Sequence, residues 1–374
     1  MKEVRISQVD ALFSNGSYPI EFLFYYREGF KTGKMRSALR ELSSIFWPMF
    51  GEYRDGLIFF DEYREEDCYA EEAVEQELDL PEIKENGFEI CSRFRLPALK
   101  RLFFLKVSRW KNGLTLVAKM NHLAGDGYSY FYFLSLLAAL SRPTFVPFKS
   151  PLLNLLLKPH HRRTALKDFS FKGRTLKPVL QADRFTIEFE EILRKDVQAV
   201  IEDVALSDHL RISTNDVLTA VAVKKLAGRQ SESWREEISL TMPIDVRRQI
   251  KDYGRGFFGN GIMFHTLKLK KEQLENSPTK EIAVHIRKSM PSVSRETYIH
   301  FLAGLEETIT EGNMEKLKPF DPRGGCLVTN LSKLPSDKLD FGSGNPELMI
   351  PLTAEKNSTA ILAKKENFVL RFAS

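Results

Sequence analysis

Asn121-His122-Leu123-Ala124-Gly125-Asp126-Gly127 is the stretch on which the reading of this 374-residue chain turns. Before it, Arg101 to Trp110 and Leu114 to Asn121 are apolar runs rich in Leu, Val and Phe, separated by Lys111-Asn112-Gly113. Asn-Gly between two such runs predicts a β-hairpin with a type I′ turn. After it, Tyr128 to Leu140 is almost wholly apolar or aromatic and too long for an ordinary strand, so it reads as a buried helix. His122 is therefore expected where a strand ends and a helix begins. An imidazole takes up a proton near neutral pH, and an element end held by packing on both sides is a rigid mount for a general base. Gly125 and Gly127 permit a turn tight enough to bring the ring into a cleft. The structural alternative is a turn histidine followed by an Asp that caps the helix.

Further out, Lys34 to Phe46 places Met35, Leu39, Leu42 and Ile45 on one face at helical spacing, and Pro48 with Gly51 stops it. Gly56 to Phe60 reads as a strand, and Cys68 to Leu78 as a surface helix with Ala73, Val74 and Leu78 inward. Ser141 to Lys177 carries four prolines and little periodicity, so the interdomain crossover is placed there. Glu190 to Leu206 and Asn215 to Leu226 read as helices, the second with Ser213 or Thr214 as cap and Gly228 just past its end. Strands are expected at Ile238 to Pro243, Gly261 to Lys268, Cys326 to Leu331 and Leu348 to Pro351. A helical tract from Thr279 to Thr310 is broken near Pro291, and a hairpin closes the chain around Lys365-Glu366-Asn367. The fold class is mixed α/β in both halves, with a domain at 1–165 and another at 166–374. This division admits a crossover segment of the second half into the first sheet.

The composition excludes several classes. With 43% apolar residues and 28 Phe the chain can bury a large core. Three scattered cysteines, Cys68, Cys91 and Cys326, build neither a disulfide framework nor a thiolate metal site, and the other histidines lack ligand spacing. No metal is expected, and a reducing, cytoplasmic address is. Met1-Lys2-Glu3-Val4-Arg5 has no apolar core of a leader, and the longest apolar run, Phe131 to Leu140, falls far short of a bilayer span. The net charge of +5 conceals an asymmetry, because Asp61 to Glu89 holds thirteen acidic residues against two basic ones and leaves the remainder strongly basic. Such a remainder steers anionic ligands. Nucleic acid is not an expected partner, since the basic residues are dispersed and no recognition motif is present. The absence of a GxGxxG or Walker loop leaves nucleotide-driven chemistry unsupported.

The His-x-x-x-Asp-Gly spacing of His122, Asp126 and Gly127 resembles the motif shared by chloramphenicol acetyltransferase, peptide-synthetase condensation domains and the acyl-CoA-dependent BAHD acyltransferases. A second match, Asp340-Phe341-Gly342-Ser343-Gly344-Asn345-Pro346, is similar to the BAHD sequence Asp-Phe-Gly-Trp-Gly-x-Pro, with Ser343 in place of tryptophan. Weaker similarities lie at Leu42 to Gly51, Ser213 to Ala220, Asp245-Val246-Arg247 and Gly259-Asn260.

This resemblance implies two chloramphenicol-acetyltransferase-like domains that meet at a channel, with His122 midway along it. It implies direct transfer of an acyl group from a thioester, foremost acyl-CoA, to an alcohol or amine, with His122 as general base and no acyl-enzyme. No bound cofactor is implied, acyl-CoA being a co-substrate. The partners are then small molecules, and with both halves in one chain a monomer is sufficient. The alternatives are an acyl donor held on a carrier protein, and a non-catalytic binding protein on the same fold. A triad analogy has Asp126 orient the imidazole, whereas the family implies a structural pair with Arg247. Ser343 is the candidate oxyanion donor, with Thr329 or Ser332 in reserve; the alternative is that Asp340 to Gly344 is only a turn that packs the halves together. His160 and His161 beside Arg162 and Arg163 are candidates for the phosphates of the donor.

Overall fold

A computed structural model describes residues 1–14, 19–85, 87–97, 100–142, 161, 186–229, 234, 236–251, 253–254, 256–313 and 316–374. The five-stranded sheet that carries the motif is formed by β2 (Ile20–Tyr26), β5 (Tyr69–Ala73), β6 (Phe103–Trp110), β7 (Gly113–Met120) and β12 (Leu348–Pro351). Its order is β12-β2-β7-β6-β5. β6 and β7 are the expected hairpin, in unbroken register from Phe103↔Met120 to Trp110↔Gly113. The turn is not type I′, because neither Lys111 nor Asn112 takes a positive φ. Gly113, the first residue of β7, does, at φ 157°. A Cβ there would lie 2.6 Å from the Tyr25 ring and 2.7 Å from the Tyr26 carbonyl, so only glycine fits.

β12 belongs to the second half of the chain yet pairs antiparallel with β2. A three-stranded sheet of order β1-β4-β3 flanks the first half, built from β1 (Lys2–Arg5), β3 (Glu52–Arg54) and β4 (Leu57–Phe60). The third sheet holds β8 (Ile187–Leu193), β9 (Glu237–Asp245), β10 (Ile262–Lys270), β11 (Gly325–Asn330), β13 (Ser358–Ala363) and β14 (Asn367–Ala373). Its order is β10-β9-β11-β13-β14-β8. Both larger sheets mix parallel and antiparallel pairs, as the α/β reading requires.

Helix Thr32–Ile45 turns Met35, Leu39, Leu42 and Ile45 inward and packs on helix Gly127–Ser141. The latter is apolar all round, which is the pattern of a helix enclosed on every side. Its Phe133 meets Phe46, Phe50 and Phe103 edge to face, and each such buried ring contributes about 1.5–3 kcal/mol. A second core lies under helix Thr214–Arg229, where Leu218, Val223 and Leu226 pack with Leu240, Val328, Ile361 and Leu370.

Three expectations are corrected. Cys68 to Leu78 is no helix: β5 runs parallel to β6, and Glu71 and Glu72 pair with Arg109 and Lys106 of that strand at 2.7 and 2.9 Å. Those cross-strand charge pairs outweigh the helix preference of a glutamate-rich segment; Leu78 is buried as expected, but Ala73 is exposed. Residues 190–193 belong to β8, where Ile187 and Phe189 alternate with Glu188 and Glu190 as in an edge strand, and the helix begins at Arg194. Gly228 lies inside its helix, which runs to Arg229. The tract from Thr279 breaks as expected, into Thr279–Ser289 and Arg295–Thr310. Most of the crossover, with His160, Arg162 and Arg163, lies outside the described residues.

Candidate active site

Asp126 caps helix Gly127–Ser141, its Oδ1 accepting from the Ser129 amide at 3.0 Å. The same carboxylate receives both ends of a guanidinium from the other half of the chain: Arg247 Nη1 reaches Oδ2 at 2.7 Å and Nη2 reaches Oδ1 at 2.9 Å. The Gly261 amide adds a second donor to Oδ2, at 2.9 Å, the fourth to the carboxylate as a whole. Burial works against a charged Asp126, but Arg247 overrides it and holds the carboxyl below its ordinary range. Arg247 donates further to the carbonyls of Gly259 and Phe257 and stacks its cation over Tyr128. A Cβ on Gly261 would lie 2.8 Å from the Arg247 Cζ, so this close crossing needs glycine. Both Asp126 oxygens are thus taken up by Ser129, Arg247 and Gly261, none of these bonds involves the imidazole, and the carboxylate ties β7 and its helix to the loop between β9 and β10.

His122 lies two residues past the end of β7 and is half-buried. Its ring stacks on Phe13, with centroids 3.6 Å apart and planes 14° from parallel. Its Nδ1 lies 2.9 Å from Oδ1 of Asn260. The amide orientation is fixed by two other bonds, because Asn260 Nδ2 donates to Asp10 Oδ1 and to the His122 carbonyl, each at 2.7 Å. With both amide protons committed, Oδ1 must accept, and Nδ1 must carry the proton. The lone pair is then on Nε2. Burial pushes the imidazole below its ordinary value of 6.5, against the opposing pull of Asp126 and of the Asn260 bond, so the ring is neutral at pH 7.

A cavity of about 600 Å³ opens beside this ring, well within the range of small-molecule sites. Phe13, His122 and Tyr128 line it from the first half of the chain, and Arg248, Thr329 and Lys333 from the second.

A family model described as the Transferase family matches residues 94–367. The chain belongs to this family, the BAHD acyltransferases. It is 21% identical over 337 residues to anthranilate N-benzoyltransferase protein 2 of Dianthus caryophyllus, which spans 83% of this chain and 74% of that one. Among solved structures, TRI101 of F. sporotrichioides, complexed with coenzyme A and T-2, superposes with a TM-score of 0.73 at 15% identity, covering 99% of this chain and 94% of its own. Vinorine synthase does so at 0.71 and 14%, covering 100% and 90%. The two-domain BAHD fold is therefore that of this protein.

Within that BAHD fold the sequence-derived candidates part company. His122, Asp126, Gly127, Arg247 and Thr329 all line the cavity. Ser332 and Ser343 are absent from its described lining. Ser332 turns its hydroxyl back onto Asn330, and the Ser343 hydroxyl is buried without a partner. The Asp-Phe-Gly-Ser-Gly stretch is a folded turn. Asp340 accepts from the amides of Gly342 and Gly344 at 2.7 and 2.9 Å, and Phe341 stacks on Phe30 of the first half. His161 sits between Trp47 and Phe258, its Nε2 3.0 Å from the Ile45 carbonyl. Asp10, Phe13 and the orienting role of Asn260 are not visible in the sequence, because Asp10 comes from a one-turn helix, and Phe13 from the turn just after it, more than a hundred residues away. Among the described residues there is no metal-ligand cluster, and no helix is long and apolar enough to cross a membrane.

Proposed function

We propose that this acyltransferase moves an acyl group from acyl-CoA to the hydroxyl or amine of a small acceptor, with Nε2 of His122 as general base. The observation that carries the reading is the saturated amide of Asn260, which leaves the free lone pair of a neutral imidazole beside a cavity shared by both halves. As the acceptor's oxygen or nitrogen attacks the thioester carbon, its proton passes to Nε2. The carbonyl oxygen takes the electron pair and accepts a hydrogen bond from the Thr329 hydroxyl, the candidate donor on the cavity wall. When the intermediate collapses the carbon–sulfur bond breaks, and the sulfur leaves as thiol with the proton returned from Nε2. Throughout, the Nδ1 proton stays on Asn260, and the Asp10 carboxylate behind that amide stabilises the transient imidazolium. Asp126 plays no part in proton transfer and serves to hold the two halves in register. The binding of coenzyme A by TRI101, on the same fold, supports the choice of donor.

The test is a screen of acyl-CoA donors against pooled alcohols and amines, read as thiol release and confirmed by product mass. Turnover that disappears in His122→Ala, with an unchanged melting temperature, supports the reading. Equal turnover in both proteins overturns it.

A further inference from the structure

Four charged residues of the cavity wall are buried: Asp126, Arg247, Glu21 and Arg371, with exposures of 3%, 3%, 1% and 2%. Three have a countercharge. Asp126 and Arg247 hold each other, and Glu21 has the Lys119 ammonium 4.0 Å away. Arg371 has none. It stands on β14, directly across from Ala360, whose methyl group leaves the space before it unfilled. Its Nη1 donates to the Thr353 carbonyl at 2.9 Å, and Nη2 approaches Cys91 Sγ at 3.5 Å. Neither partner is a carboxylate: one is a backbone carbonyl, the other a cysteine sulfur that also lies 3.6 Å from the Pro351 carbonyl. Among the described residues Nε has no partner, and neither does the hydroxyl of Thr353, also on the cavity wall.

A guanidinium cannot shed its proton to escape burial, and an uncompensated buried charge is among the most costly features a fold can hold. Its planar array of donors matches a carboxylate. Resting on the acyl-transfer reading of the same cavity, we propose that Arg371 is a specificity residue that receives a carboxylate carried by one of the two substrates, with the Thr353 hydroxyl as second donor. The enzyme would then act on an acidic acyl group or an acidic acceptor rather than on neutral ones.

Calorimetric titration decides between the sources with two pairs of matched shape: malonyl-CoA against isovaleryl-CoA for the donor, and 4-hydroxybenzoate against 4-hydroxybenzamide for the acceptor. In one pair the carboxylate member is expected to bind about tenfold more tightly than its neutral twin. Arg371→Met should erase that ratio while retaining the affinity for the neutral twin and a melting temperature no lower than that of the parent, because it removes an unpaired buried charge. Arg371→Lys, which keeps the charge, should retain part of the preference. Absence of a carboxylate preference in both pairs with the parent protein overturns the proposal, as does a preference that survives in Arg371→Met. A melting temperature that falls in both variants, with both members of each pair weakened alike, marks Arg371 as structural and also overturns it. Because binding is read without turnover, a carboxylate preference in a protein that transfers no acyl group would sink the catalytic reading alone.

Discussion

Asn260 accepts from Nδ1 of His122 across 2.9 Å while its own amide protons go to Asp10 and to the His122 carbonyl. This arrangement does for the imidazole what a carboxylate does in a Ser-His-Asp triad, fixing tautomer and ring plane, but with a neutral group in contact. Asn260→Ala removes the acceptor and frees the ring to place its proton on Nε2. The rate should fall roughly 100-fold at an unchanged KM for the donor. Steady-state kinetics check this, and a full rate in Asn260→Ala would remove the orienting role.

Asp126→Asn tests the opposite assignment. The substitution removes the buried partner of Arg247 and leaves only the half-exposed Asp245 carboxylate, 3.3 Å away, as countercharge, which costs about 3 kcal/mol. The denaturant midpoint should drop accordingly, and the loss of activity should track the loss of folded protein. A stable but inactive Asp126→Asn would assign the carboxylate to catalysis.

Ser343→Ala should leave acyl transfer unchanged. The hydroxyl is buried, unpartnered and outside the described cavity lining, so its removal should shift stability by no more than about 0.5 kcal/mol. Comparing kcat and melting temperature of the variant with those of the parent settles the matter. A loss near 100-fold would mean that the hydroxyl reaches the oxyanion after all.

The pH dependence follows from burial of His122. Burial disfavours the imidazolium, so the ring releases its proton at a pH below its ordinary 6.5. The kcat/KM profile should show an acid limb centred below 6.5 and a plateau through neutrality. The same shift acts on stability. The unfolded chain binds the proton more readily than the folded one, so stability is full above 6.5 and falls as pH drops from there through the lowered value. A limb centred above 7 would contradict this assignment.

The sequence made the scaffold legible wherever a local pattern coincided with the final environment. The hairpin around Lys111, the apolar helix after Gly127 and the helix from Thr32 buried the faces their spacing indicates. Reading failed where pairing across the chain decided the structure. The glutamates of β5 look helical until Lys106 and Arg109 are seen beside them, and β8 takes its form from β14. The site divides in the same way. His122 announces itself by its place between a strand and a helix, whereas Phe13 and Arg371 reach the cavity, and Asp10 reaches Asn260, from distant segments with no motif of their own. Ser343 drew attention through its neighbours, and those neighbours turn out to fold the turn around Asp340.

The most direct measurement is nitrogen-detected NMR of the ¹⁵N-histidine-labelled protein between pH 5 and 8, with the His122 signals assigned by their loss in His122→Ala. The expected result is a neutral ring at pH 7.5 with the proton on Nδ1 and an unprotonated Nε2, titrating below 6.5. A ring protonated on Nε2 at that pH, or an imidazolium, would contradict it, because no lone pair would then face the acceptor.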